Sequence, residues 1–156
     1  VFENIRCGIL WSAGHRYSFW KRIINLTDVR ERTDEVLELI GLADRQGKLA
    51  GELTYAEQRA LEIGITIASG AEVILLDEPT AGMSRTESAD AVALVRNVTK
   101  DKTLIMVEHD MSVVFDLADR ISVLVYGELI ATGKPEEISK SKAVQEAYLG
   151  TEQSNA

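Results

Sequence analysis

The clearest chemical signal in the chain is a pair of acids, Asp77 and Glu78, which follow four apolar residues and precede Pro79. A short run that is apolar at every position and closed by a proline predicts a central strand of a parallel sheet, buried on both faces. Ligands bind at the carboxyl ends of such strands. Two adjacent carboxylates there are costly unless they serve a cation or a proton transfer, because like charges beside an apolar interior resist ionising together. A solvated acidic turn is the alternative interpretation.

A histidine, His109, follows the next apolar run, Thr103 to Val107. If the two strands are neighbours, His109 meets Asp77 and Glu78 at one edge of the sheet. A strand-end aspartate suits hydrated Mg²⁺, which takes only one or two carboxylates. A second acid can act as general base on a water, and a histidine can contact phosphoryl oxygens. The alternative for His109 is a capping or core histidine.

The first 70 residues have helical patterns and no strand. After an initial helix, we expect a second from an Asp28–Glu31 capping box to Ile40, closed by a left-handed Gly41. A third helix is expected from Tyr55 or Ala56 to Gly70. The apolar positions predicted to face the core are Val29, Val36, Leu37 and Ile40 on the second helix, and Leu61, Gly64, Ile65 and Ala68 on the third.

From residue 73 onward, the alternation of strand, helix, strand, helix and strand predicts a parallel sheet with crossover helices. A Ser84–Glu87 capping box opens the first of these helices, whose inner side carries Val92, Val95 and Val98. A short helix is expected from Met111 to Ala118, with Met111, Val114, Phe115 and Ala118 facing inward. Two strands, Ile121 to Tyr126 and Leu129 to Thr132, are expected to be joined by a Gly127–Glu128 turn. The last expected element is a helical segment from Pro135 to Leu149. The expected division is a helical subdomain over 1–70, a partial α/β core over 71–133 and a C-terminal helix and tail over 134–156.

Composition excludes several classes of protein. The net charge of −8 argues against nucleic acid as a partner, because phosphate binding needs clustered cations. A single cysteine, Cys7, and two histidines argue against an intrachain disulfide and a zinc site, and they favour a reducing compartment. Cys7 lies among apolar residues and is expected to be buried. No apolar run approaches the length of about 18 residues that a membrane span needs.

The start of the chain is rich in aromatic residues. Residues 1–26 predict a helix, a loop with a solvated His15 and a second short helix, whose aromatic surface is either core or a partner interface. Both interpretations remain open. The first residue is Val1 and no signal-like pattern follows it, so we expect a cut or processed end.

Three motifs in order carry a family resemblance. Leu53-Thr54-Tyr55-Ala56-Glu57-Gln58-Arg59, then Val73 to Pro79, then Glu108-His109-Asp110 resemble the signature motif, the Walker B strand with its catalytic glutamate and the switch histidine of ABC transporter ATP-binding subunits. The likeness spans nearly the whole chain. It implies a partial P-loop NTPase fold of class α/β, with a helical subdomain followed by part of a mainly parallel sheet and flanking helices.

Less specific motifs point to one subgroup of this family. Ala81 to Ser84, Val107 to Met111 and Gly133 to Ile138, leading to Glu146 to Gly150, are similar to the ATPase subunits of branched-chain amino acid importers. Importers of urea and amides share much of this pattern. The transported substrate cannot be read from the chain, because a binding protein and membrane subunits select it.

The resemblance implies specific roles. Thr54 and the backbone amides of Tyr55, Ala56 and Glu57 would contact the γ-phosphate of ATP held by a partner subunit. Asp77 would hold Mg²⁺, Glu78 would polarise the attacking water and His109 would touch the γ-phosphate. The turn from Gly82 to Ser84 would face the second ATPase subunit, identical or different.

The chain departs from the family pattern in three places. Tyr55 and Ala56 replace glycines of the usual Ser-Gly-Gly, a change familiar in this importer subgroup, and Ser84 stands where Asp or Asn is commoner. A phosphate-cradling G-x-x-x-x-G-K-[S/T] loop is missing, and we expect it in a segment before Val1. We therefore interpret the chain as a C-terminal fragment that alone neither binds ATP tightly nor hydrolyses it.

Two rival functions follow from the same residues. The chain could be an interaction module. Its aromatic first 26 residues would then dock a membrane subunit, and Asp77 and Glu78 would have no catalytic role. It could also belong to a soluble ABC ATPase of DNA repair or translation, which its acidic charge and importer-like tail disfavour. The preferred parent is a cytoplasmic ATPase, peripheral on the inner face of a bacterial membrane. Its partners would be permease subunits and, indirectly, a periplasmic binding protein.

Overall fold

The structure is a computed structural model that describes residues 1–13 and 27–152, with side chains described as far as residue 147. The predicted second short helix, its preceding loop with His15, and the last four residues lie outside these ranges. The chain divides into two compact parts, residues 1–107 and 108–156. The three-part division expected from the sequence stays a prediction.

Three helices build the first part's main core. They are α1 (Phe2–Ser12), α2 (Thr27–Leu39) and α3 (Tyr55–Ala68), with 3₁₀ turns at Ala43–Arg45 and Ala50–Glu52 between the last two. Their shared interior is aliphatic, and its most buried members are Ile5, Ile9, Val29, Leu37 and Leu42. Gly64 lies at a tightly packed point of this core, where a Cβ would lie 2.6 Å from Ile40 Cδ1 and 2.9 Å from Ile5 Cδ1.

The ends of α2 confirm one sequence signal and correct another. Gly41 has φ of +70°, and the amides of Leu42 and Gly41 donate to the carbonyls of Leu37 and Glu38, which completes the predicted left-handed C-terminal cap. Asp28, by contrast, already lies inside the helix. The predicted capping box is therefore wrong there, and Asp28 acts as a first-turn acid that complements the helix dipole.

Cys7 is exposed, which corrects its predicted burial. The buried face of α1 is formed by Ile5, Gly8 and Ile9. Position 7 lies two residues from position 5, about 200° around the helix, and therefore faces away from the core. Apolar neighbours in sequence do not make a helical residue buried.

The two predicted strands of the first part are parallel neighbours. Strand β1 (Val73–Asp77) pairs with β2 (Thr103–Val107), and Asp77 lies opposite Val107. Between them runs α4 (Arg85–Val98), which starts at the predicted Ser84 cap and buries the predicted residues Val92, Val95 and Val98.

One face of this sheet corrects the prediction that β1 is buried on both sides. Ile74 is buried, but Val73 and Leu75 are 53% and 72% exposed. Ile105 and Val107, which share that face, are 54% and 61% exposed. Among the described residues β1 pairs with β2 alone, so no further strand or helix covers these four side chains, which we call the exposed sheet face.

The second part holds α5 (Met111–Leu117), an antiparallel pair formed by β3 (Ile121–Val125) and β4 (Glu128–Gly133), and two further helices, α6 (Pro135–Ile138) and α7 (Lys142–Glu152). Ile121, Ile138 and Val144 form its core. No helix in residues 1–13 or 27–152 is long and apolar enough to cross a membrane.

Three expectations for the second part need correction. The hairpin turn lies at Tyr126 and Gly127, which both have positive φ, as a tight antiparallel turn requires, and not at Gly127–Glu128. Among the described residues β3 pairs with β4 alone, in antiparallel orientation, and has no parallel partner. On α5 the buried residue is Val113, while Phe115, predicted to face inward, is 37% exposed.

Candidate functional site

The first element of the site is the start of α3, where Thr54 forms the N-cap. Its backbone is extended, and its hydroxyl accepts a hydrogen bond from the Glu57 amide at 3.3 Å. The Glu57 carboxylate accepts one from the Thr54 amide at 2.9 Å. This reciprocal capping box fixes the first turn of a 14-residue helix. Sequence reasoning missed it, although the T-x-x-E spacing is its signal.

Two donors stay available at this helix start. Among the described contacts, the amides of Tyr55 and Ala56 donate to no other residue, as expected for the first positions of a helix. They lie at the positive end of the helix dipole beside the Thr54 hydroxyl, and this combination favours an anion such as a phosphate. The geometry thus suits the role that the resemblance implies for Thr54, Tyr55 and Ala56.

The Glu57 side chain has a different function from its neighbours. In addition to the cap, it accepts a hydrogen bond from Arg45 Nε at 2.9 Å. The bonds from the Thr54 amide and from Arg45 hold the pKa of Glu57 below its ordinary value of 4.5. The carboxylate therefore links the helix start to the first of the two 3₁₀ turns, Ala43–Arg45. The Glu57 amide, predicted to contact phosphate, donates to Thr54.

The second element is the end of β1. Asp77 is the last residue of the strand and is exposed, as is Glu78. Glu78 has φ of +44°, a left-handed conformation that is uncommon for residues other than glycine. Its amide donates to the Val107 carbonyl at 2.9 Å, and its carbonyl accepts from the Ala81 amide at 3.1 Å. Left-handed non-glycine residues cluster at functional sites.

The donor set at this strand end fits Mg²⁺. No group of three or more His, Cys, Asp or Glu side chains that could enclose a metal is found in the described ranges. Mg²⁺ needs no such group, because it keeps several waters and is held by one or two carboxylates together with substrate phosphates. The exposed carboxylate of Asp77 meets that requirement.

The loop after Gly82 prepares the next helix. Gly82 has φ of +75°, and Ser84 forms with Glu87 the capping box predicted from the sequence. The Ser84 amide donates to the Glu87 carboxylate at 2.9 Å. This cap matches the one that opens α3, so cap geometry alone does not distinguish a phosphate-binding helix start from an ordinary one.

The third element, His109, begins the second part of the chain. Its side chain is 74% exposed, whereas that of Glu108 is buried. The Glu108 carboxylate accepts hydrogen bonds from the amides of His109 and Asp110, at 3.0 and 3.3 Å. Asp110 then caps α5 through the Ser112 amide and hydroxyl, which together hold the pKa of Asp110 below its ordinary value. A buried acid thus shapes the loop that presents the imidazole.

The two carboxylates and the imidazole are described in different compact parts, Asp77 and Glu78 in residues 1–107 and His109 in residues 108–156. The parallel pairing of β1 with β2, on which their predicted meeting depends, is confirmed. The meeting of the three side chains at one edge stays a prediction.

Comparison with known families gives a direct match near the C-terminus. The family described as "Branched-chain amino acid ATP-binding cassette transporter" matches residues 128–153, which comprise β4, α6 and α7. Two of the four segments that suggested this subgroup in the sequence, Gly133 to Ile138 and Glu146 to Gly150, lie in the matched region.

Curated relatives match a longer stretch. LivG of Salmonella typhimurium, a high-affinity branched-chain amino acid transport ATP-binding protein, is 36% identical over 126 residues, 80% of this chain and 49% of LivG. LivG of Escherichia coli K12 is 35% identical over the same fractions of the two chains, 80% of this chain and 49% of LivG. BraF of Pseudomonas aeruginosa is 36% identical over 73% of this chain and 46% of BraF. The chain spans about half the length of the curated relatives it matches.

Solved structures share the fold. An ATP-binding cassette of an ABC transporter is 25% identical, with a TM-score of 0.75 over 94% of this chain and 61% of that one. An inward-facing ABC transporter described as metal-chelate type has a TM-score of 0.77 at 18% identity, over 94% of this chain and 56% of that one. Sequence, motif order and fold agree: the chain is similar to ATP-binding cassettes, and in particular to those of branched-chain amino acid transporters.

Proposed function

We propose that this chain is the signature-bearing part of the ATP-hydrolysing subunit of an ABC importer for branched-chain or related amino acids. The observation that carries the proposal is the start of α3, where a capped helix leaves the amides of Tyr55 and Ala56 available beside the Thr54 hydroxyl. In a head-to-tail dimer this helix start would bind the γ-phosphate of ATP held by the second ATPase subunit.

Within that assembly, Glu78 acts as the general base. Its carboxylate accepts a proton from the water whose oxygen attacks the γ-phosphorus, and the bond from that phosphorus to the bridging oxygen of ADP breaks. His109 would donate a hydrogen bond to the γ-phosphate, and Asp77 would hold Mg²⁺. When bound, Mg²⁺ would supply positive charge to the phosphate oxygens.

Hydrolysis would be coupled to partners outside this chain. They are transmembrane permease subunits and, indirectly, a periplasmic binding protein that selects the amino acid. The complete subunit would lie in the cytoplasm, peripheral on the inner face of the bacterial membrane. Nucleic acid is not among the proposed partners, since the chain carries a net charge of −8.

The test is ATP hydrolysis by the complete ATP-binding subunit that contains this chain, reconstituted with its membrane subunits. Glu78→Gln removes the general base and should lower kcat by about 10²- to 10⁴-fold, while nucleotide binding is retained. The matched control is Glu72→Gln, which makes the same charge change at an exposed residue before the other end of β1. An unchanged kcat in Glu78→Gln would refute the assigned role.

The isolated chain provides a second test. We propose that alone it neither binds ATP tightly nor turns it over, because the sequence contains no phosphate-cradling loop. Calorimetric titration with ATP and Mg²⁺ should give no affinity in the micromolar range. Micromolar binding, or steady hydrolysis that disappears in Glu78→Gln, would contradict this proposal.

One observation favours the rival function, a non-catalytic module that docks a membrane subunit. The Trp11 side chain, near the end of α1, is 57% exposed. A photocrosslinker placed at position 11 should then capture a permease subunit in the reconstituted complex. The Glu78→Gln result separates the two functions, because a non-catalytic module loses no activity with that substitution.

A further inference from the structure

A row of three polar side chains runs along one flank of α3, at Tyr55, Arg59 and Glu62. The Tyr55 hydroxyl accepts hydrogen bonds from Arg59 Nε at 3.2 Å and from Arg59 Nη2 at 3.1 Å. Arg59 Cζ lies 5.3 Å from the centroid of the tyrosine ring. The other terminal nitrogen of Arg59, Nη1, donates a hydrogen bond to Glu62 Oε2 at 2.8 Å.

This row restrains a ring that would otherwise move. Tyr55 is 48% exposed, so packing alone does not fix its rotamer. The planar guanidinium binds the hydroxyl through two N–H groups, and Glu62 anchors it from the other side. These contacts raise the pKa of Arg59 above its ordinary value, first through Glu62 and then through Tyr55. The ring is therefore held in one position.

The position of the ring matters because Tyr55 is the first residue of α3 and carries one of the two available amides. In the family pattern a glycine stands here, with no side chain beside the donor. A free ring at this position can lie across the amides of Tyr55 and Ala56, and it loses rotational freedom when an anion displaces it. A ring already held on the flank neither covers these amides nor loses rotational freedom when the anion binds.

We propose that Arg59 is a positioning residue, which holds the Tyr55 ring on the flank of α3 so that the amides of Tyr55 and Ala56 stay accessible to a terminal phosphate. This inference rests on the proposed function, because it concerns the same phosphate site. It explains how this chain combines a tyrosine in the signature motif with phosphate binding.

Direct attraction of the phosphate by the Arg59 charge is the competing explanation. The two differ in one respect: a positioning residue has no effect once the ring is gone, whereas a charge acts whether or not the ring is present. Arg59→Lys separates them further, because lysine keeps the charge but lacks the planar fork that binds the Tyr55 hydroxyl.

The experiment is an NMR titration of the chain with inorganic tripolyphosphate, followed at the Tyr55 and Ala56 amides. Arg59→Ala and Arg59→Lys should both weaken binding by about two- to tenfold, the cost of ordering one side chain. In a Tyr55→Ala background, Arg59→Ala should cause no further change. Arg32→Ala, which removes an exposed arginine from α2, is the control for charge and should leave the affinity unchanged.

Four outcomes would overturn the inference. If Arg59→Lys binds like the unmodified chain, or if Arg59→Ala weakens binding equally without the ring, Arg59 acts by its charge. If Arg59→Ala and Arg32→Ala have the same effect, Arg59 does not act on this site. If tripolyphosphate leaves the Tyr55 and Ala56 amides unshifted in the unmodified chain, the phosphate site of the proposed function fails as well.

Discussion

The helical core and the parallel sheet of the first part carry different candidate site residues, and the two elements are packed to very different degrees. The start of α3 stands on a closed aliphatic core in which Ile5, Ile9 and Leu37 are almost fully buried. Asp77 and Glu78 stand at the end of a two-stranded ladder whose exposed sheet face includes Leu75 at 72%. Equally apolar sequences thus reach opposite degrees of burial, because burial requires an element on the other side.

The largest expected effect tests this difference directly. Leu37→Ala removes a side chain from the closed core and should lower the free energy of unfolding by about 2–5 kcal/mol, the lost burial plus the cavity. Leu75→Ala on the exposed sheet face should change it by less than about 0.5 kcal/mol. Urea denaturation of both variants provides the measurement. A loss of several kcal/mol in Leu75→Ala would show that this face is covered in solution.

A smaller effect compares the two capped helices. Thr54→Ala and Ser84→Ala each remove a capping hydroxyl from a 14-residue helix, and each should cost about 0.5–2 kcal/mol in thermal or urea unfolding. In the tripolyphosphate titration, only Thr54→Ala should weaken the shifts at Tyr55 and Ala56. An equal weakening in Ser84→Ala would show that the start of α3 has no special role in phosphate binding.

At the end of β1, one substitution is expected to increase the stability of the chain. Glu78→Gly relieves the left-handed strain at φ +44° and should raise the free energy of unfolding of the chain by about 0.5–1 kcal/mol. The same change should abolish hydrolysis in the complete subunit. Tyr126→Gly, at the other non-glycine residue with positive φ in the described chain, should stabilise similarly and leave hydrolysis unchanged. A loss of stability in Glu78→Gly would mean that its side-chain contacts outweigh the strain.

The smallest effect is a pH dependence at the start of α3. A carboxyl whose pKa is lowered in the folded state stabilises the fold fully above its unfolded pKa, and this contribution is lost as the pH falls through the folded pKa. For Glu57 the loss therefore begins below its ordinary value of 4.5. Glu57→Gln should flatten this part of the acid unfolding curve. The same change at Glu38, an exposed residue of α2, serves as control, and an equal flattening there would contradict the assignment.

Local signals in the sequence predicted most of the elements and the order of the site residues. The left-handed end at Gly41, the Ser84 cap and the parallel pairing of β1 with β2 are confirmed. Each depends on residues close together in sequence or on a strand alternation that admits few topologies. The hairpin turn was missed by one residue, since a tyrosine with positive φ gives no recognisable turn signal.

The sequence by itself indicated the family resemblance and singled out Thr54, Asp77, Glu78 and His109 as candidate site residues, because both follow from residue types at characteristic spacings. Only the tertiary structure decided which apolar residues are buried. It turned Cys7 outward, left Val73 and Leu75 exposed, and bound Arg45 to Glu57 and Arg59 to Tyr55. Burial and side-chain pairing depend on which element lies opposite a residue, and the spacing of residues along the chain does not specify that.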